Sequence, residues 1–280
     1  LLQKKYQHKV ILVGEEPHPP YQRPPLSKNY LTGEVDQGSL YLKPSSIYEK
    51  AGHQLRLGVR VVQIDRNNKI IRLSDQSTLK YDQLVLATGS RVRRLNAPGA
   101  DLKGIHYLHD IADADNLRQQ LVAGKRLVIV GGGYIGLEAA AVAATKGLKV
   151  TLVEMADRIL QRVAAPETSD LFRNLHQSHG VDLREGVGLE QILGDTAVTG
   201  ATLTDGTTLE LDFIIAGVGI APETSLAQAA GLAIDNGIKT DSLGQTSDPH
   251  IWAAGDCASL PYHGGRIRLE SVQNAIDQAE

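Results

Sequence analysis

A glycine-rich turn in the middle of the chain has the residue types and the spacing to hold a dinucleotide. Residues 131–136 read GGGYIG and match the pattern G-x-G-x-x-G, with the apolar stretch RLVIV before them and an alanine-rich segment after them. In such a turn Gly131 allows the tight bend, Gly133 lets the backbone approach a pyrophosphate, and Gly136 lets the helix pack closely against the strand. The phosphates would lie over the N-terminal end of that helix, where unpaired N–H groups and the helix dipole favour negative charge.

An acidic residue follows at the distance that ribose recognition requires. Glu154 ends the stretch KVTLVE, 23 positions after Gly131 (154 − 131 = 23). A carboxylate there accepts hydrogen bonds from a ribose diol and repels a 2′-phosphate, so the sequence favours NADH over NADPH. Arg158 is close enough along the chain to weaken this preference. The alternative, a glycine-rich turn of some other α/β protein, is disfavoured because the strand, the helix and the acid occur together.

The remaining signals suggest a second cofactor rather than a small substrate. A dehydrogenase for a small substrate usually needs a proton-transfer group, often His or Tyr, and no segment forms an obvious substrate-binding block around one. Instead, glycines end three further apolar stretches, in ATGS (87–90), AGVG (216–219) and AAGDCA (253–258). Strand ends of open α/β sheets are where cofactors bind, and Asp256 could accept a hydrogen bond from a ribityl or phosphate-linked hydroxyl.

The elements that position these residues alternate between strands and helices, which indicates an α/β fold. The clearest unit is β-α-β, with strands at RLVIV and KVTLVE and a helix at 134–146 that Gly147 ends. Residues 54–87 are rich in short strands, and Pro24–Pro25 can start a short helix. Further strands are predicted at 8–14, 213–216 and 251–254, a hairpin at Asp205–Gly206, and helices at 1–10, 112–123, 166–179, 221–230 and 271–280.

Composition excludes several classes of function. The chain has 280 residues, 42% hydrophobic and 22% charged, with a formal net charge of −3, so nothing suggests a nucleic-acid or membrane-surface binder. No apolar run reaches the length of a membrane span. The single cysteine, Cys257, excludes a redox-active cysteine pair within the chain. The histidines lack the neighbouring ligands of a metal site, so no metal is expected.

Six motifs together resemble one family. They are PYQRPPLSKNYL (20–31), YDQLVLATGS (81–90), VIVGGGYIGLE (128–138), AGVGIAP (216–222), TSDPHIWAAGDCA (246–258) and IRLESVQNA (267–275). In this combination, and over essentially the whole chain, the sequence resembles the FAD-dependent NADH:ferredoxin reductases, the putidaredoxin-reductase-like and rubredoxin-reductase-like branch of the pyridine nucleotide-disulfide oxidoreductases. The resemblance implies two Rossmann-like domains, a discontinuous FAD domain at 1–107 and 220–280 around an NAD domain at 108–219.

The resemblance also implies roles for individual residues. Lys28 would lie near the reactive edge of the flavin and pair with Glu138, and these two are the expected catalytic residues. The expected FAD contacts are Glu15, Arg23, Lys28, Val61, Thr88, Gly89, Asp256 and Val272, with His109 at a position where the family usually has Arg. The expected NADH contacts are Gly131, Gly133, Ile135, Gly136, Glu154 and Gly217. A docking face for an acidic ferredoxin could include Lys43, Arg266 and Arg268.

The implied activity is that of an NADH:ferredoxin oxidoreductase, which passes electrons through FAD to a ferredoxin or rubredoxin of an oxygenase system in the cytoplasm. The family's first glycine-rich loop and its C-terminal domain are not among the 280 residues, so a fragment is expected and FAD retention is left open. Disulfide reductases, NADH peroxidases and NADH oxidases are excluded, because EEPHPPYQRPPLSKNYLTG (15–33) has no cysteine. A flavin-free NAD-dependent dehydrogenase and a redox-sensing regulator similar to apoptosis-inducing factor stay as alternatives.

Overall fold

A computed structural model describes residues 8–280. The helix expected at the start of the chain lies largely outside these residues. Contacts divide the chain into two compact units. The first unit consists of the described residues up to Tyr21, together with Tyr41–Arg91 and Ile220–Glu280; the second consists of Gln22–Leu40 and Val92–Gly219.

The described residues form strands β1 to β20, which are Ile11–Gly14, Gln54–Leu57, Val61–Asp65, Ile70–Leu73, Thr78–Lys80, Leu84–Leu86, Ser90–Val92, Ile105–His106, Arg126–Val130, Lys149–Glu154, Asp182–Glu185, Leu189–Leu193, Gly200–Leu203, Thr208–Glu210, Phe213–Ala216, Ile220–Pro222, Ile238–Lys239, Ile251–Ala253, Ala258–Tyr262 and Gly265–Ile267. The α-helices α1 to α7 are Asn29–Thr32, Ser45–Lys50, Ile111–Arg118, Tyr134–Thr145, Pro166–Ser178, Ser225–Ala229 and Val272–Ala279. Short 3-10 helices occupy Pro24–Ser27, Gln37–Leu40 and Gly255–Cys257.

The second unit is built on a five-stranded parallel sheet in the order β11-β10-β9-β15-β8. Helix α4 connects β9 to β10, and α5 connects β10 to β11. Strand β9 has β10 on one side and β15 on the other, so the strand order reverses there. Open α/β sheets bind their ligands at the carboxyl ends of the strands at such a reversal. This sheet confirms the expected α/β class and places the GGGYIG turn at the reversal.

Alternating side chains of this sheet fill two cores. Leu127, Ile129 and Ile215 pack with helix residues in one core. Val128 and Ile214 point to the opposite face and pack in a second core with the antiparallel strands β12, β13 and β14. Because both faces are covered, the central strands β9 and β15 are almost continuously apolar, as RLVIV and FIIA (213–216) indicated.

The first unit holds several small sheets around its own core. Parallel pairs are formed by β1 with β2 and by β6 with β18, and antiparallel sheets by β3-β4-β5 and by β19 with β20. Its core contains Ile64, Leu73, Leu86, Ile251 and Cys257, which are all buried. Cys257 is therefore a small, fully buried residue of this core.

The structure differs from the expected elements at several boundaries. The helix expected at 112–123 ends at Arg118, because a turn follows and the N–H of Gly124 bonds to the carbonyl of Gly147 before β9 begins. The helix expected at 221–230 begins only at Ser225, after β16. Helix α2 was not expected at all. Among residues 8–280, none of the helices combines the length and the apolar composition that a membrane span requires.

Two segments expected in the FAD domain group with the second unit. These are 22–40 and 92–107, and the first of them contributes Leu31 to the core of the second unit, where its side chain is fully buried. The contact units therefore have other boundaries than the predicted domains. Which cofactor each unit binds stays a prediction.

Candidate functional site

The glycine turn of the second unit is closed by three backbone segments in direct contact. Gly131 has φ +109°, and a Cβ atom there would lie 2.4 Å from the carbonyl oxygen of Gly217. A Cβ atom on Gly136 would lie 2.0 Å from the carbonyl oxygen of Gly131. Only glycine fits at these positions, since real Cβ atoms are essentially never found closer than 3.0 Å to another heavy atom. The turn after β9, the first turn of α4 and the end of β15 therefore meet, and the tight turn expected at Gly131 and the close packing expected at Gly136 are present.

Gly133 provides the open side of the turn. It precedes α4 with an extended backbone (φ −83°, ψ −175°), and no heavy atom lies within 4 Å of a Cβ atom built on it. No side chain caps the N-terminus of α4, and its first turn carries no acidic residue. The first N–H groups of the helix are thus available to an anion, and the helix dipole favours one. The residues present fit a dinucleotide pyrophosphate.

Glu154 ends β10 with its carboxylate directed at the turn. Its Oε2 accepts a hydrogen bond from the N–H of Gly132 at 2.6 Å, and its Oε1 accepts one from the N–H of Ala156 at 2.8 Å. A carboxylate has about four acceptor sites, so both oxygens can still accept hydrogen bonds from a ribose. Gly132 was not among the residues expected from the sequence. Its position between two glycines of the G-x-G-x-x-G pattern could have identified it.

The arginine that could weaken the preference for NADH is held elsewhere. Arg158 donates from Nη1 to Ser169 Oγ at 2.6 Å and from Nη2 to the carbonyl oxygen of Gln161 at 3.3 Å. Ser169 is fully buried. Ile135, by contrast, is 41% exposed in the first turn of α4, where it is accessible to a ligand.

Lys28 and Glu138 form an ion pair within the second unit. Lys28 Nζ lies 2.8 Å from Glu138 Oε1, with the lysine side chain 46% exposed and the glutamate 27% exposed. The other carboxylate oxygen, Oε2, accepts a hydrogen bond from Ser27, which is buried. The expected pairing is therefore present in the structure. Ser27 was not anticipated, although it precedes Lys28 in RPPLSK.

Buried contacts fix the segment that carries Lys28. The hydroxyl of Tyr30 donates to Asp115 at 2.8 Å, and the guanidinium of Arg118 lies 4.4 Å from the centre of the Tyr30 ring. Burial and the bond to Asp115 raise the pKa of Tyr30. Because Asp115 and Arg118 belong to α3, these contacts attach α1 to that helix. Lys28 is consequently placed from both sides, by α3 through Tyr30 and by α4 through Glu138.

Arg23 and His109 meet in the same unit. Arg23 donates from Nη1 to the carbonyl oxygen of His109 at 2.6 Å. The N–H of His109 donates to Asp113, whose pKa is raised by burial and by the nearby Asp110. The contact between Arg23 and His109 joins two of the positions that the resemblance assigned to FAD.

The other expected FAD contacts belong to the first unit and fall into two groups. Glu15 follows β1, its side chain is 69% exposed, and its carboxylate lies 3.9 Å from Arg60, the neighbour of Val61. In the second group, Thr88 donates to the carbonyl oxygen of Glu223 at 2.6 Å, and Asp256 accepts from the hydroxyl of Ser90 at 3.5 Å.

Gly89 and Val272 complete the second group. Gly89 has φ +63° and no heavy atom within 4 Å of an added Cβ atom. Val272 is 59% exposed at the start of α7, a helix that packs against the 3-10 helix containing Asp256. Open space at Gly89, the carboxylate of Asp256 and an exposed valine are compatible with a flavin nucleotide. Val61 lies next to Arg60, the partner of Glu15 in the first group. Val61 also packs against the core that contains Leu86, which belongs to the strand before Thr88.

The expected docking face does not hold for two of its three residues. Arg266 and Arg268 have side chains only 19% and 11% exposed. Arg266 donates to the carbonyl oxygen of Thr240 at 2.7 Å, and Arg268 forms an ion pair with Glu270 at 2.6 Å. Both guanidinium groups are thus bound by partners within the first unit. Lys43 is exposed.

Known proteins are similar to this chain in sequence and in architecture. The family model described as pyridine nucleotide-disulphide oxidoreductase matches residues 1–279. The chain belongs to this family. Rhodocoxin reductase of Rhodococcus erythropolis is 44% identical over 273 residues, which cover 96% of this chain and 64% of that protein. Putidaredoxin reductase CamA of Pseudomonas putida is 45% identical over 278 residues, which cover 96% and 66%.

A solved structure has the same fold as this chain. The covalent putidaredoxin reductase–putidaredoxin complex contains a chain that is 42% identical to this one, with a TM-score of 0.94 and coverage of 99% of this chain and 69% of that one. These likenesses confirm the recognised family and the Rossmann-like α/β fold. The chain spans about two thirds of the length of the curated relatives, 64% and 66% in these two cases.

Proposed function

We propose that this chain is the nucleotide-binding part of an NADH-dependent flavoprotein reductase that passes electrons through FAD to a small iron–sulfur protein of an oxygenase system. One observation carries the proposal: helix α4 begins at a turn that fits a pyrophosphate, and its second turn presents Glu138 in an ion pair with Lys28. Helix α4 thus offers a nucleotide site at its first turn and holds the Lys28 ammonium through Glu138 at its second turn.

In this proposal the second unit holds NADH. The N–H groups at the start of α4 bind the pyrophosphate, with Gly133 leaving the space for it. Glu154 accepts hydrogen bonds from the adenosine ribose and repels a 2′-phosphate. The placement of Arg158 on Ser169 supports a preference for NADH, because that guanidinium already has hydrogen-bond partners. Ile135 and Gly217 would line the same nucleotide.

Lys28 and Glu138 are the proposed catalytic residues. Bound FAD would supply the redox chemistry, which is to take up hydride from NADH and to pass the two electrons on one at a time. The Lys28 ammonium would stabilise the negative charge that a reduced flavin carries. Glu138 holds that ammonium at 2.8 Å, and the hydroxyl of Ser27 fixes the rotamer of Glu138. The chain itself contributes orientation and charge to the reaction.

The flavin contacts are part of the same proposal. Glu15 would accept hydrogen bonds from the adenosine ribose of FAD, and Asp256 from its ribityl chain. Gly89 supplies the close approach that its open surroundings and positive φ allow. The other proposed contacts are Arg23, Val61, Thr88, His109 and Val272.

The names of the relatives support the type of acceptor. They are reductases of rhodocoxin and of putidaredoxin, and a further relative, from Pseudomonas putida, is a rubredoxin-NAD(+) reductase that is 38% identical. We propose that this chain serves a ferredoxin-type or rubredoxin-type acceptor, in the cytoplasm where NADH is supplied.

Expression of the intact gene tests the proposal. A yellow protein that NADH bleaches anaerobically, and that then reduces ferricyanide and a ferredoxin encoded nearby, is the expected result. A colourless protein that takes up no added flavin would contradict it. NADH oxidation without any flavin would indicate a dehydrogenase for a small substrate. A long-lived reduced complex with slow turnover on every ferredoxin tried would indicate a redox-sensing regulator instead.

A further inference from the structure

Gly132 lies between Gly131 and Gly133 and is fixed by hydrogen bonds to the last residue of β10 and to the loop that follows β10. Gly132 donates its N–H to Glu154 at 2.6 Å, and its carbonyl oxygen accepts from the N–H of Leu160 at 2.9 Å. A Cβ atom on Gly132 would lie 2.6 Å from Cγ2 of Ile159. Both polar groups of the residue between Gly131 and Gly133 are therefore fixed by residues 22 and 28 positions further along the chain (154 − 132 and 160 − 132).

Leu160, the loop residue that bonds to Gly132, has a strained backbone conformation. Leu160 has φ +54°, a left-handed conformation that costs a branched side chain roughly 1–2 kcal/mol. Ile159 and Leu160 are both buried, at 0% and 4% exposure. A left-handed leucine persists only where surrounding contacts over-determine the backbone.

Those contacts come from α5 and β11. The N–H of Ile159 donates to Glu185 Oε1 at 2.8 Å, and its carbonyl oxygen accepts from the hydroxyl of Ser169 at 2.6 Å. Arg173 donates two hydrogen bonds to Glu185, from Nε to Oε2 at 2.6 Å and from Nη2 to Oε1 at 3.0 Å. Arg173 and Glu185 are largely buried, with side chains 24% and 17% exposed. A bidentate pair of this kind fixes the orientation of the carboxylate as well as its distance from the guanidinium.

We infer that Arg173 and Glu185 are positioning residues for the dinucleotide, acting through Ile159 and Leu160 on Gly132. The guanidinium orients the carboxylate, the carboxylate fixes the peptide of Ile159, and Leu160 then holds the carbonyl of Gly132. The position of Gly132 sets the directions of the flanking glycines, and hence of the N–H groups that face the pyrophosphate. This role rests on the proposed nucleotide binding at the turn.

The test is Arg173→Met in the full chain, with NAD⁺ binding measured by titration calorimetry. Loss of the bidentate pair should raise the Kd for NAD⁺ roughly threefold to tenfold. Hydrogen exchange should quicken in the peptide that covers 128–136. Arg173→Lys, which keeps the charge but not the fork, should give an intermediate Kd. Arg184→Met is the matched control, since Arg184 lies beside Glu185 in β11 but pairs with Asp182 at 2.9 Å. This control should change neither the Kd for NAD⁺ nor the hydrogen exchange of 128–136.

The outcomes separate the positioning role from stability and from the proposed function. If Arg173→Met lowers the melting temperature but leaves Kd and exchange as in the unsubstituted chain, the pair is merely structural and the inference is overturned. Should Arg173→Met fail to fold, Arg173→Lys decides, and an unchanged Kd there overturns the inference as well. An unsubstituted chain that binds no NAD⁺ overturns nucleotide binding itself, and the positioning role with it.

Discussion

Replacing Gly136 by alanine should destabilise this protein, although the same change inside a helix usually stabilises it. Alanine is favoured over glycine in a helix by roughly 0.5–1 kcal/mol, because it restricts the unfolded chain. Gly136 lies in the first turn of α4, so propensity alone predicts a gain. The structure predicts a loss, since the added Cβ atom would lie 2.0 Å from the carbonyl oxygen of Gly131.

The size of the loss follows from the displacement that the new atom requires. Real Cβ atoms are essentially never closer than 3.0 Å to a heavy atom, so the two segments must separate by at least 1.0 Å (3.0 − 2.0). The obstructing atom is backbone and cannot rotate away. Overpacking of this kind costs about 1–3 kcal/mol, from which the propensity gain is subtracted. Because a backbone atom cannot move aside, the upper part of that range applies, about 2–3 kcal/mol, and we expect a net loss of about 1–2.5 kcal/mol, or a fall in Tm of roughly 2–10 °C.

The assay is thermal unfolding of the variant together with NAD⁺ titration, and Gly133→Ala is the matched control. Gly133 has an ordinary φ of −83° and open space around an added Cβ atom. Gly133→Ala should therefore leave Tm nearly unchanged and weaken NAD⁺ binding, since the methyl group occupies the approach of the pyrophosphate. Gly136→Ala should lower both. A Tm for Gly136→Ala equal to or above that of the unsubstituted chain would refute the close approach of α4 and β9.

Three other substitutions test two parts of the site and the pH dependence of stability. Glu154→Gln should reduce the preference for NADH over NADPH roughly tenfold, because it removes the charge that repels a 2′-phosphate; an unchanged ratio of kcat/KM values would contradict this. Lys28→Met should slow NADH-dependent ferricyanide reduction roughly tenfold to a hundredfold at unchanged KM, with partial recovery in Lys28→Arg; equal kcat values would exclude a role for the ammonium. Burial, and then the nearby His179, lower the pKa of His176, so on acidification below about pH 6.5 the unfolded chain binds a proton before the folded chain does and stability is lost. His176→Gln should remove up to about 1.4 kcal/mol per pH unit of that loss, and an identical dependence of Tm on pH in both proteins would show that His176 does not contribute.

Local patterns were sufficient for the β-α-β unit around the turn. The apolar runs RLVIV and KVTLVE predicted β9 and β10, and α4 ends within one residue of the predicted 134–146. Glycine at 131 and 136 was interpretable because each position excludes a side chain for a steric reason that holds in any such turn. Secondary structure, turn chemistry and the spacing to Glu154 are all properties of neighbouring residues, so one sequence can show them.

Contacts between distant residues were not visible in the same way. The periodicity of residues 22–40 does not show that Tyr30 bonds to Asp115, 85 positions away, and attaches this segment to the second unit. Ser27 and Gly132 were likewise overlooked, because their partners, Glu138 and Leu160, come from other elements.

The sequence by itself determined where the glycine-rich turn begins and which acid follows it at the end of the next strand. Only the tertiary structure decided what holds that turn, which is the left-handed Leu160 together with the carboxylate of Glu185 that Arg173 binds. It also decided that the guanidinium of Arg158 is bound to Ser169. The reason is physical. A glycine's conformation is a local property of the backbone, whereas the direction of a guanidinium or carboxylate depends on which buried partner the folded chain brings within about 3 Å of it.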